Sequence, residues 1–240
     1  MKNPRTIVEA IGYWLNFEYA CKRTELFNER YMSYPIGQFL MARYGHQVRT
    51  EYIHPVLTRE KTGQGAKPKI DFVVLKQKDS NTDDELIELA IETKWCSKSN
   101  TLVRDIIRDL IRLSLLIHEY DCSAYFILAG KKKDIISLFN DEKFAKSQNI
   151  VSSKPILESQ PNLIASTLRL GNPSTFRKKI LNDALIPFQN LEIPFSIRTT
   201  KFGEYPKNIK TSQYAVYGWR LDRRVVEMFR PVNEPKYVFT

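Results

Sequence analysis

Apolar side chains at Ile7, Ile11, Trp14, Leu15 and Tyr19 fall at helical spacing, with charged residues crowding the far side, which predicts a helix over residues 5–32. Pro35 predicts a break, and a second short helix through Phe39 and Leu40 stops at Gly45. Residues 46–57 have a β-like pattern, and TREKTGQGAKPK at 58–69, rich in Gly and Lys, predicts a mobile loop. IDFVVLK (70–76) and ELIELAIETKW (85–95) predict two strands joined by the polar turn KDSNTDD. Polar residues at 97–100 can cap the next element. There Val103, Ile106, Ile107, Leu110, Leu113 and Ile117 line one face of a helix over 101–119. CSAYFILA (122–129) is a continuous apolar run of strand length, expected to be buried on both faces, with Gly130 ending it and KKKDIISLF starting another helix. This order predicts an α/β fold, a central mixed β-sheet flanked by helices.

After about residue 150 the pattern weakens. Residues 161–185 read as helical with a break at Gly171 and Pro173, and IPFSIRTT and YAVYGWRL read as strands. The expected organisation is a core over 1–150 and a C-terminal α+β extension over 151–240. That extension either completes the sheet or contacts the target as a small recognition unit.

Composition narrows the function classes. With 42% hydrophobic and 27% charged residues the chain is neither disordered nor fibrous. Cys21, Cys96 and Cys122 are widely spaced and form no CxxC, which argues against a disulfide scaffold and a Cys-based zinc site. A reduced, cytoplasmic compartment is expected. The first residues lack a long apolar run, and no stretch approaches the length of a membrane span, so neither a secretory signal nor a membrane partner is expected. Lys and Arg number 37 against 27 Asp and Glu, a formal charge of +10, which points to a polyanion as partner.

The chemistry concentrates around the two central strands. Glu92 and Lys94 are two apart in a strand and leave the same face. The preceding strand opens with Asp71. If the two strands pair as a hairpin, Asp71 and Glu92 converge at one end of the sheet. Carboxylates that close repel unless a cation lies between them, and such oxygen ligands suit Mg²⁺ or Mn²⁺. A neighbouring ammonium offsets charge and can orient a water or help deprotonate it. Two other acid-x-Lys triplets occur, Asp141/Lys143 and Glu234/Lys236, but only Glu92/Lys94 sits in an apolar strand that follows another strand bearing an acid.

Asp71, followed 21 positions later by Glu92-Thr93-Lys94, resembles the PD-(D/E)XK (restriction-endonuclease-like) nuclease superfamily. The likeness extends over roughly residues 15–140: an N-terminal helix with Glu18, Glu25 and Glu29, the helix RDIIRDLIRL after the motif strand, then the apolar strand YFILAG. It departs at the Pro before the acid, which is Ile70 here, with Pro68 two places earlier. The resemblance implies a restriction-endonuclease-like core and metal-dependent hydrolysis of phosphodiester bonds, in DNA first, with RNA not excluded. Asp71, Glu92 and the Thr93 carbonyl would hold Mg²⁺, for which Mn²⁺ can substitute, and Lys94 would position the attacking water. An acid of the N-terminal helix would complete the site, with Glu29 first and Glu25 second; Glu51, in the candidate first strand, is a further candidate. The resemblance also implies a setting in prokaryotic restriction-modification or anti-phage defence, as a homodimer or as a partner subunit of a defence complex.

Other basic groups have two readings each. Lys61, Lys67 and Lys69 stand in the loop beside Asp71 and are candidates for contact with nucleic acid. Arg104, Arg108 and Arg112, interleaved with Asp105 and Asp109, read as a solvated salt-bridged face or as phosphate contacts. Lys131 to Lys133 read as a solvated helix start or as a cluster that tracks a backbone. WRLDRR with Tyr214 and Tyr217 mixes aromatic and basic residues as nucleic-acid surfaces do. His46, His54 and His118 have no ligand spacing. The alternative to an enzyme is a catalytically inactive nucleic-acid-binding subunit of a larger assembly. A protein-interaction domain whose charge is incidental is the other rival.

Overall fold

The computed structural model describes residues 4–60, 67–76, 86–145, 154–160, 165–206, 212–223 and 227–239. Its helices are α1 (Arg5–Ala20), α2 (Glu29–Tyr44), α3 (Pro55–Glu60), α4 (Leu102–Tyr120), α5 (Lys132–Asn140) and α6 (Lys178–Leu185). Its strands are β1 (Val48–Ile53), β2 (Lys69–Leu75), β3 (Ile87–Cys96), β4 (Ser123–Lys131), β5 (Ala165–Arg169), β6 (Ile193–Pro194), β7 (Ser196–Tyr205), β8 (Tyr214–Leu221) and β9 (Met228–Phe229). The fold is α/β, as the periodicity predicts. Seven strands form one open mixed sheet in the order β1-β2-β3-β4-β8-β7-β5.

Among the described strands only β3 and β4 pair in parallel; they are joined over the sheet by α4 and run in register from Leu89 opposite Ser123 to Cys96 opposite Gly130. A crossover helix is what a parallel pair requires. Gly130 does not end the strand as its sequence suggests. A Cβ there would lie 2.8 Å from the Cys96 Cβ, so glycine lets the two strands stay paired to their ends.

Each face of the sheet has its own core. Ile7, Val8, Ile11 and Leu15 of α1 and Met32, Ile36 and Leu40 of α2 pack on Phe72, Leu89, Ile91 and Ile127. On the other face, Ile106, Leu110 and Leu113 of α4 and Leu181 of α6 pack with Val73, Ala90, Phe126 and Leu128. β4 is covered on both sides, which explains its unbroken apolar run.

Four expectations need correction. The helix expected over 5–32 stops at Ala20; Lys22 takes φ 60, and a new helix begins at Glu29, capped by the Asn28 side chain accepting the Tyr31 N–H at 2.9 Å. Pro35 is not the break but lies inside α2. The stretch expected to be helical from 161 contains β5, where Ser166 and Leu168 point inward and the backbone pairs with β7 from Ala165 opposite Thr200 to Arg169 opposite Ser196. A partner strand distant in sequence, not local propensity, decides that segment. Residues 58–60, expected to be loop, belong to α3, while Lys61 and the turn KDSNTDD lie outside the described residues. Of the two placements open for IPFSIRTT and YAVYGWRL, the structure has the sheet extension: β8 pairs with β4, and β7 with β8.

Candidate active site

β2 and β3 pair antiparallel through Val73 opposite Ala90 and Phe72 opposite Ile91, where their ladder ends. One residue further, the Asp71 Oδ2 accepts the Thr93 N–H at 2.8 Å and the Thr93 hydroxyl at 2.7 Å. The carboxylate thus takes the place of the carbonyl that a continuing ladder would supply, and the strands fork around it. β1 is irregular at the same level: Glu51, between the pairs Thr50–Phe72 and Tyr52–Ile70, has φ 49.

Glu92 follows the fork and is 1% exposed. Its Oε1 accepts from Arg112 of α4, at 2.9 Å from Nε and 2.8 Å from Nη2, and Nη2 also donates to Asp109 Oδ1 at 2.6 Å. Lys94 lies between two acids, its Nζ 3.2 Å from Asp109 Oδ2 and 3.2 Å from Glu29 Oε1. Glu29 is fixed by its place in the first turn of α2, and its Oε2 accepts the Trp95 N–H at 3.3 Å.

The electrostatics follow from this packing. Four carboxylates (Glu29, Asp71, Glu92, Asp109) share two cations (Lys94, Arg112), which leaves a formal excess of two negative charges. Burial, then the Asp109 charge, push the Glu92 carboxyl well above the usual glutamate range, against the pull of Arg112. Burial also raises Asp109 to about 6, opposed by Arg112 and Lys94. Desolvation alone would lower the Lys94 ammonium, but Asp109 and Glu29 outweigh it and hold its proton more tightly than in an ordinary lysine. Asp109 Oδ2 is fully buried and has no well-directed hydrogen bond.

Excess negative charge, raised carboxyl pKa values and all-oxygen donors suit a hard divalent cation. Among the described residues no three His, Cys, Asp or Glu side chains are gathered as a ready-made metal cage. Mg²⁺ does not demand one, since it is commonly held by one or two carboxylates together with substrate phosphate.

His54 is completely buried and supports α4 from outside the cluster. Its Nδ1 accepts the Leu57 N–H at 3.2 Å, which leaves Nε2–H to donate to the Arg112 carbonyl at 3.0 Å. Burial lowers its pKa to about 4. An imidazole depressed below its unfolded value near 6.5 stabilises the fold fully above that pH and loses the contribution as pH falls towards 4. The stability gap between the wild type and His54→Phe is therefore expected to shrink by about 2 kcal/mol between pH 7 and pH 5. Urea denaturation at the two pH values checks this, and an unchanged gap contradicts it.

The other candidates lie as follows. Glu25 is exposed in a 3₁₀ turn, and Glu51 is exposed and pairs with Lys69 at 3.4 Å. Of the three candidates it is Glu29 whose carboxylate pairs with Lys94. Buried Glu18 binds Arg23 and Tyr31. Lys67 is exposed. Arg104 donates to Asp105 at 3.1 Å, and Arg108 donates to the carbonyls of Asp183 and Ala184, tying α4 to α6. The solvated-face reading fails for Asp109 and Arg112. Asp109 is 2% exposed, and Arg112 is three-quarters covered while binding Glu92. A signal for Asp109 does exist in the sequence: Leu102, Ile106, Asp109, Leu113 and Leu116 form one helical stripe in which only position 109 is polar.

No protein-family model, no curated protein and no solved structure matches this chain.

Proposed function

We propose that the chain is a Mg²⁺-dependent nuclease of the PD-(D/E)XK type, with Mn²⁺ able to substitute, hydrolysing phosphodiester bonds in DNA. The observation that carries this reading is the cluster of four carboxylates, two of them (Glu92 and Asp109) buried, with a formal excess of two negative charges, set at a strand fork beside a lysine. A cytoplasmic role in restriction or anti-phage defence, as a homodimer or with a partner subunit, belongs to the same proposal.

Asp71, Glu92 and the Thr93 carbonyl would hold the cation. When bound, it supplies Lewis-acid polarisation of a phosphoryl oxygen and a more acidic water. The protein's own groups define the rest. Lys94, gripped by Asp109 and Glu29, keeps its proton at neutral pH. Its part is to donate to a non-bridging phosphoryl oxygen and to orient the water, rather than to act as a base. Arg112 neutralises part of the buried charge and fixes the Glu92 carboxylate in one orientation.

One observation favours a second reading, an inactive nucleic-acid-binding subunit: the Arg112 guanidinium already rests on Glu92 Oε1, where a cation would otherwise lie. A cleavage panel separates the two. Plasmid, linear duplex, single-stranded DNA and RNA are incubated with Mg²⁺, Mn²⁺ or EDTA. Cutting with either metal and none in EDTA is expected. Binding without cutting under any metal, unchanged in Asp71→Asn, would favour the inactive subunit.

A further inference from the structure

A second feature opens at the carboxyl-terminal end of the parallel β3–β4 pair, the end where ligands of open α/β sheets commonly bind. There, Tyr19, Tyr214 and Lys131 to Lys133 line a cavity of about 510 Å³, and none of the described residues lining it is acidic. Its floor is rigid. The Lys132 N–H donates to the Gln213 carbonyl at 2.9 Å, fixing the start of α5 to the segment before β8. Tyr214 is 4% exposed, whereas Tyr19 is 45% exposed and its ring lies 5.8 Å from that of Tyr214. A half-open tyrosine ring backed by a buried one and flanked by lysines has the two parts that single-stranded nucleic acid requires, a stacking face and phosphate partners.

The cavity is also coupled in space to the carboxylate cluster. Phe27 packs on Tyr214 at 4.7 Å and on Trp95 at 6.0 Å, and the Trp95 N–H donates to Glu29, the partner of Lys94. Lys94 lies opposite Leu128 in the register, so Lys131 stands three residues, about 10 Å, further along the sheet and on its other face, the one covered by α1 and α2.

We infer that this cavity binds an unpaired strand of nucleic acid, with Lys131 and Lys133 on backbone phosphates and Tyr19 stacked on a base. The choice of nucleic acid as occupant rests on the nuclease proposal, but the test does not require catalysis. Binding of a fluorescein-labelled single-stranded oligonucleotide and of its duplex is measured by anisotropy in EDTA, across a salt series. The proteins are wild type, Lys131→Gln/Lys133→Gln and Tyr19→Ala, each confirmed as folded by thermal denaturation.

The double lysine variant is expected to bind the single strand about tenfold more weakly, with its salt slope reduced by roughly 1.4, the value for two lost phosphate contacts. Tyr19→Ala is expected to weaken single-strand binding about fivefold or more, with less effect on the duplex. Unchanged binding in both cavity variants overturns the inference, as does a wild type that does not bind the single strand. If the cavity variants lose binding while the wild type cuts nothing with Mg²⁺ or Mn²⁺, the surface stands and the nuclease proposal fails.

Discussion

Glu92→Gln is expected to reduce metal-dependent cleavage on the order of a thousandfold or more, because the cation contributes several kcal/mol of charge stabilisation that the amide can no longer anchor. Gln keeps the shape and an acceptor oxygen for Arg112, so packing between β3 and α4 is retained. Since Glu92 is buried with its pKa pushed up, the substitution also removes a group that is costly to keep charged, and the variant is expected to be at least as stable as the wild type. Rates under single turnover, with urea denaturation beside them, check both parts. A loss of rate accompanied by unfolding would mean that Glu92 is structural.

Arg112→Leu is expected to have the opposite profile. Removing the guanidinium leaves Glu92 and Asp109 buried without their shared partner, and breaking a buried ion pair from one side costs about 3–5 kcal/mol. The variant's deficit is expected to be full near pH 7.5 in EDTA and to diminish as pH falls towards 5. The direction follows from the carboxyls, whose folded pKa values lie above their unfolded ones: the folded state then binds more protons, so acid favours it. Mg²⁺ is expected to restore part of the loss, because a cation that binds only the folded protein stabilises it by mass action. Equal stability of Arg112→Leu and wild type in EDTA would contradict this picture of the cluster.

Parts of this arrangement were legible from residues alone for definite reasons. β3 and β4 are apolar runs of strand length bounded by polar residues, and α4 carries a long helical stripe, so their positions follow from period and length. Asp71 and Glu92 stood out because an acid in an apolar strand needs a compensating partner. The end of the first helix was not legible, since the polar residues at 21–28 continue a helical pattern, and Asn28 becomes a cap only once the chain turns. β5 was hidden because its inward residues, Ser166 and Leu168, acquire meaning only against β7. Arg112 and Asp109 alternate with apolar residues as surface ion pairs do. For Asp109 the apolar stripe of α4 carried a signal, whereas the cover over Arg112 comes from its contact with Glu92 where α4 packs on the sheet, which no local pattern encodes.

The most direct test of the cation site is binding of Mn²⁺ to the substrate-free protein, followed by electron paramagnetic resonance, for wild type, Asp71→Asn and Glu92→Gln. Saturable binding by the wild type, competed by Mg²⁺ and lost in both variants, is the expected result. No saturable binding, or binding that survives both substitutions, would contradict a divalent-cation centre at the β2–β3 fork.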